Sequence, residues 1–153
     1  NEFELHSIEQ PIKANQIQEM KLLCHQTPFP IALDEELIGV FETEDKRKLL
    51  EEIQPQYIIL KPSLVGGFKG TLEWISIAES LNIGWWITSA LESNIGLNAI
   101  TQFTFTLNNP MPQGLGTGGL YTNNFDCPLQ IENGHIQYNV DKQWGISNLG
   151  LQL

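Results

Sequence analysis

Three short apolar runs in the chain each close on one charged side chain. Glu9 closes Leu5-His6-Ser7-Ile8-Glu9, Asp34 closes Ile31-Ala32-Leu33-Asp34, and Lys61 closes Tyr57-Ile58-Ile59-Leu60-Lys61. The spacings, 25 and 27 residues, match one strand plus one helix plus two loops. On neighbouring parallel strands, two carboxylates and an ammonium would project from one rim of a sheet. Carboxylates are the hard oxygen ligands Mg²⁺ prefers, and that ion keeps several waters beside a few protein groups. A lysine near a cation in a partly dry pocket has its charged form disfavoured and can exchange protons near neutral pH. The chemistry indicated is a divalent cation, held by Glu9 and Asp34, beside a proton-handling Lys61: an enzyme half-site. Two carboxylates are few for a metal centre, so a further ligand is expected upstream of Glu9. The plainer alternative is three strand ends meeting solvent, and their matching positions argue against it.

Other chemistry-bearing residues are less telling. Glu35 and Glu36 follow Asp34 directly, but adjacent strand residues alternate sides, so they are read as loop or supporting groups. Glu92, in Thr88-Ser89-Ala90-Leu91-Glu92-Ser93-Asn94, is read as a structural group at the rim. His6, His25 and His135 have no ligand spacing, no Gly-x-Ser-x-Gly elbow occurs, and neither cysteine has a catalytic partner. Gly114-Leu115-Gly116-Thr117-Gly118-Gly119 satisfies G-x-G-x-x-G literally. A dinucleotide fingerprint needs a helix opening after the glycines, whereas Leu120-Tyr121-Thr122-Asn123-Asn124 is loop-like. Close approach of a substrate to the backbone explains these glycines better.

The elements that must position these residues alternate. A strand over Glu4–Glu9 is followed by a helix capped at Asn15, with Ile17, Met20, Leu22, Leu23 and Cys24 near helical spacing. Pro28 and Pro30 break it before a second strand, Ile31–Asp34. Thr43 or Asp45 opens an amphipathic helix ended by Pro55, and Tyr57–Lys61 is a third, continuously apolar strand. After a loop with Gly66, Gly67 and Gly70, Thr71 opens a helix through Leu81. Gly84–Thr88 is a fourth strand, Ile95–Leu107 a helix, and Gln113–Gly116 a candidate fifth strand. Such alternation predicts an α/β fold with a parallel sheet. Active residues at the carboxyl ends of successive strands favour part of a (β/α) TIM-like barrel over an open sheet. The pattern changes after Asn123, where Cys127–Ile131 and His135–Tyr138 flank Asn133-Gly134 and predict a hairpin. The expected organisation is barrel over residues 1–122 and an appendage over 123–153 that packs on the barrel or a cap.

Length and composition set the bounds. The 153 residues suffice for one domain with a sizeable core, and 41% hydrophobic content is ordinary for a globular protein. A net charge of −10 with eight basic residues argues against nucleic acid, and no apolar run is long enough to span a bilayer. Cys24 lies on a helical apolar face, so a buried thiol in a reducing cytoplasm is expected rather than a disulfide with Cys127. Asn1-Glu2-Phe3-Glu4 runs straight into a strand-like segment without an initiating methionine, so the chain is read as the carboxy-terminal part of a longer polypeptide.

Taken in order, Ser7-Ile8-Glu9-Gln10-Pro11, Ile31-Ala32-Leu33-Asp34-Glu35, Leu60-Lys61-Pro62-Ser63 with Gly66-Gly67, Ser89-Ala90-Leu91-Glu92-Ser93-Asn94-Ile95-Gly96 and Gln113-Gly114-Leu115-Gly116-Thr117 resemble the barrel domain of the enolase superfamily. Within it the resemblance points to a lyase of menaquinone biosynthesis. It implies Glu9 as the second metal ligand, Asp34 as the third, and Lys61 as the strand-end lysine facing a small carboxylate substrate. In that branch the lysine acts as a cation over a π-system. Thr88, with Ser89 beside it, falls where the family places a hydroxyl contact to substrate, and Gly114 where it places a backbone amide. Gly116 departs from the acidic residue some relatives carry. The implied reaction is β-elimination of water after removal of a proton α to the carboxylate, with Mg²⁺ (or Mn²⁺) neutralising the developing dianion. The family's Lys-x-Lys pair, first metal Asp and capping domain belong before Glu9, so this chain alone is expected to be inactive and to bind Mg²⁺ poorly. A racemase or epimerase of the same superfamily is the near alternative. A non-catalytic barrel fragment that associates through open strand edges is the distant one.

Overall fold

The computed structural model describes residues 3–146, which form two compact units dividing between Thr88 and Ser89. In the first unit, β1 (Ile8–Glu9), β2 (Ile31–Leu33), β3 (Tyr57–Leu60) and β4 (Gly84–Ile87) make one sheet in sequence order, parallel throughout. Three helices alternate with them: α1 (Ile17–Gln26), α2 (Thr43–Ile53) and α3 (Gly67–Ser80).

Cross-strand register sorts the side chains, because partners in a parallel pair point to the same face and neighbours along a strand to opposite ones. Ile8 aligns with Ile31, Leu33 with Ile58, Ile58 with Trp85, and Leu60 with Ile87. From Ile31 onward every member of that set is buried, as are Met20, Leu50, Ile53, Trp74 and Ala78 of the helices. The opposite face carries Glu9, Ala32, Tyr57 and Gly84 in one row, with Ile59 and Trp86 in the next. On this face His6, Tyr57 and Trp86 cluster, with ring centroids 4.7 to 5.9 Å apart.

The strands are shorter than their apolar runs, for identifiable reasons. β1 covers Ile8–Glu9, and its pairing does not extend back toward Leu5 because Pro30, whose carbonyl accepts from the Ile8 amide at 2.8 Å, has no N–H to return to that strand. β2 stops at Leu33 because the backbone bends at Asp34 into a 3₁₀ turn over Glu35–Leu37. The first helix is entered through Gln16 rather than Asn15, whose φ of 70° puts it in the left-handed region. Helix α3 begins four residues before Thr71, at Gly67, and the Thr71 hydroxyl donates back to the Gly67 carbonyl at 2.8 Å. Gly66, at φ 96°, makes that early start possible by turning the chain without a Cβ penalty.

The second unit holds α4 (Asn94–Thr106) and an antiparallel hairpin, β5 (Leu129–Glu132) with β6 (His135–Tyr138). Asn133 and Gly134 form its two-residue turn, both at positive φ (51° and 76°), as a type I′ turn requires. Gln113–Gly116 forms no extended ladder: Gly114 makes an isolated bridge, and the chain turns at once through Thr117–Leu120. The glycine run is thus followed by turn and loop rather than by a helix. Cys24 and Cys127 are both free thiols, Cys24 buried. Among the described residues no helix is long and apolar enough to cross a membrane.

Candidate active site

Asp34 sits one residue past β2 and Lys61 one past β3, so the pleat places both on the face that carries Glu9. Thr88, one past β4, shares that face, and its amide donates to the Leu60 carbonyl at 3.0 Å. The structure therefore brings Glu9, Asp34, Lys61 and Thr88 together on one surface of four adjacent strands, toward their carboxyl ends.

The electrostatics of this cluster follow from its burial. Asp34 is 2% exposed, and the Lys61 ammonium donates to its Oδ2. Glu9 is the outermost member. Desolvation of its carboxyl group, followed by hydrogen bonding and repulsion from Asp34, raises its pKa, while the Lys61 charge opposes the rise. Two carboxylates share a space in which one added positive charge, from Lys61, compensates them only in part. Such a donor set suits a hard divalent cation, which Glu9 and Asp34 would hold with water in its remaining positions. Among the described residues no group of three His, Cys, Asp or Glu side chains gathers to hold an ion.

A side chain that sequence reasoning passed over ties the backbone of Asp34 to the strand end that carries Glu9. Gln10, directly after Glu9, reaches across to β2: its Oε1 accepts from the Asp34 amide at 3.0 Å, and its Nε2 donates to Glu36 Oε2 at 3.1 Å. Glu36 is 6% exposed. It is a supporting group, as its place in the sequence indicated. Glu35, by contrast, is exposed at the start of the 3₁₀ turn. The one available signal for Gln10 is its place between a strand-end carboxylate and Pro11.

Ser89 and Gly114 belong to the second unit, where the Ser89 amide donates to the Gly114 carbonyl at 3.1 Å. Ser89 is buried, its hydroxyl 2.6 Å from that of Thr117. Glu92 Oε2 accepts from the Ala90 amide at 2.8 Å, which holds the turn containing Leu91 at φ 63°. His6 packs against Tyr57 with its ring tilted by 36°, and His135 lies at the exposed hairpin.

The sequence matches the family described as Enolase C-terminal domain-like over residues 1–147, and the chain belongs to that family. Its α/β fold is that of the later βα units of a (β/α) barrel with a carboxy-terminal hairpin. The chain is 56% identical over 134 residues to the o-succinylbenzoate synthase of Desulfotalea psychrophila, covering 88% of this chain and 36% of that protein. It is 28% identical over 124 residues to the L-Ala-D/L-Glu epimerase of Thermotoga maritima, covering 81% of this chain and 32% of that one. The crystal structure of MenC from Desulfotalea psychrophila superposes with a TM-score of 0.85 at 56% identity, over 88% of this chain and 38% of that chain. The chain thus spans about a third of the length of the curated relatives it matches.

Proposed function

We propose that this chain carries the strand-end carboxylates and the cationic lysine of an o-succinylbenzoate synthase, a lyase that removes water from a cyclohexadiene carboxylate. The observation that carries the reading is the convergence of Glu9, Asp34 and Lys61 on one face of adjacent parallel strands. The 56% identity to a synthase supports it.

In this reading Glu9 and Asp34 would hold Mg²⁺, replaceable by Mn²⁺, which when bound would offset the negative charge of the substrate carboxylate. A base takes the α-proton. Lys61 lies over the electron-rich face of the resulting anion and lowers its energy by Coulomb attraction. The C–O bond to the β-hydroxyl then breaks, the base's proton leaves with it as water, and a C=C bond completes the aromatic ring. Thr88, Ser89 and Gly114 orient the substrate's polar groups.

The L-Ala-D/L-Glu epimerase relative favours a second reading on the same frame. There Lys61 would take or return the proton itself, from the other side of the carbon.

The test is an ultraviolet dehydration assay of the whole protein with Mg²⁺ and with chelator, comparing wild type with Lys61→Ala and Asp34→Asn. Metal-dependent product formation, lost by about 10³-fold or more in both variants, is the expected result for groups acting on developing charge. Absence of dehydration, with proton exchange on N-acylamino acids instead, would overturn the synthase reading in favour of the second.

A further inference from the structure

One side chain links the residue after Glu9 to the backbone of Asp34. Gln10 stands at φ 33°, in the left-handed region that non-glycine residues seldom occupy. Its own amide donates to the Ala32 carbonyl at 2.9 Å, continuing the ladder one residue past β1. The side-chain oxygen accepts from the Asp34 amide at 3.0 Å and from the Glu36 amide at 3.4 Å. The side-chain nitrogen donates to the Ile12 carbonyl at 3.0 Å and to Glu36 Oε2 at 3.1 Å. All four hydrogen-bonding positions of a terminal amide are thus filled. The other Glu36 oxygen accepts from the Asn15 amide at 2.9 Å, so the buried carboxylate is itself held from two sides.

These bonds occupy the place where a ladder would otherwise continue. Past Leu33 the backbone leaves the sheet, and the Asp34 amide is bonded by a side chain rather than by β1. We propose that Gln10, locked by Glu36, is a positioning residue that sets the separation of the Glu9 and Asp34 carboxylates. The inference rests on the reading of these two carboxylates as ligands of a divalent cation. Gln10 does not itself ligate. Being adjacent to one carboxylate and bonded to the backbone of the other, it couples their positions. Strain at its backbone is tolerated because four hydrogen bonds over-determine the conformation.

Glutamine is required here rather than a carboxylate because the site asks for one acceptor edge and one donor edge. Gln10→Met keeps the length and removes both edges. Gln10→Glu keeps the acceptor and turns the donor edge into a repulsive contact with Glu36. Gln10→Glu combined with Glu36→Gln restores one donor and one acceptor with their direction reversed, although the Ile12 carbonyl loses its partner.

Two readouts on the whole protein separate the inference from the reading beneath it. The first is hydrogen–deuterium exchange of peptides spanning residues 31–38 and 84–88 without metal. In Gln10→Met and Gln10→Glu, exchange over Asp34–Leu37 should quicken at least tenfold while the β4 peptide stays unchanged, and the double variant should recover most of the protection. The second is Mn²⁺ binding by electron paramagnetic resonance, where Kd should weaken at least tenfold in each single variant and recover in the double one. Unchanged exchange over 34–37, or a double variant no better than Gln10→Glu in both readouts, would overturn the role of Gln10. If the wild type fails to bind Mn²⁺ while the exchange pattern holds, the clamp stands as a local device and the ligand reading is what fails.

Discussion

Replacing Gly70 by alanine should destabilise the protein, although helix propensity alone says the opposite. Gly70 lies inside α3, where exchanging glycine for alanine is worth roughly 0.5–1 kcal/mol in favour of the helix. A Cβ there, however, would overlap the Val65 carbonyl oxygen and lie 3.0 Å from the carbonyl carbon. Both are backbone atoms of the turn after Lys61 and cannot swing aside as a side chain can. Overpacking of this kind costs about 1–3 kcal/mol and sometimes more, so the net loss should be about 1–2 kcal/mol. Urea unfolding followed by the fluorescence of Trp74, Trp85 and Trp86 reads this directly, as all three belong to the same unit. The displacement also has a direction. The Leu64 and Val65 amides donate to the Lys61 carbonyl at 2.8 and 3.1 Å, so pushing Val65 moves the turn that anchors the lysine. Gly39→Ala is the control, with φ 87° but no atom within 4 Å of its Cβ, and should cost only local strain. A Gly70→Ala protein as stable as wild type, or more so, would show that the turn yields freely and that close approach is not what the position demands.

Other expectations follow from the same packing. Lys46 is 1% exposed, donates to Glu73 Oε2 at 2.6 Å and lies 5.7 Å from the centre of the Trp74 ring. Glu73→Gln should therefore destabilise more than Lys46→Met in urea titrations, since only the first leaves a buried ammonium without its carboxylate. The hydrogen bond from Lys46 holds the Glu73 carboxyl below its ordinary 4.5. A depressed folded-state pKa gives stability that is present above about pH 4.5 and is lost as pH falls through the lower value. Acid titration of Lys46→Met should accordingly show a flatter loss of stability in that range. Burial pushes the Cys24 thiol up to about 11, so iodoacetamide at pH 8 should modify Cys127 first and Cys24 only on unfolding, as read by peptide mass spectrometry.

Much of the frame was legible from local pattern, because the pleat and the helical turn are properties of a short stretch of chain. The runs ending at Glu9, Asp34 and Lys61 announced strands whose last residues share a face, and Asn133-Gly134 announced its hairpin, since both positions accept positive φ. Element ends were less legible. Glu4–Glu9 reads as a strand throughout, yet only Ile8 and Glu9 pair, because a ladder also needs free N–H and C=O groups on its neighbour. Pro30, which has no N–H to offer, removes the one needed before Ile8. Gln113–Gly116 carries strand-like residues but finds one bridge before the chain turns at Thr117. The start of α3 at Gly67 escaped a pattern that weighed Thr71 as the better cap.

By itself, then, the sequence determined which residues line each face of the sheet and which charged groups stand at its strand ends. Only the tertiary structure decided that Lys61 pairs with Asp34, that Lys46 is drawn under α3 to Glu73, and that Gln10 bridges to Asp34 and Glu36. Those choices depend on cross-strand register and on where neighbouring backbones run out of hydrogen-bond partners. Both are set by contacts between residues 24 or more positions apart, which no local periodicity encodes.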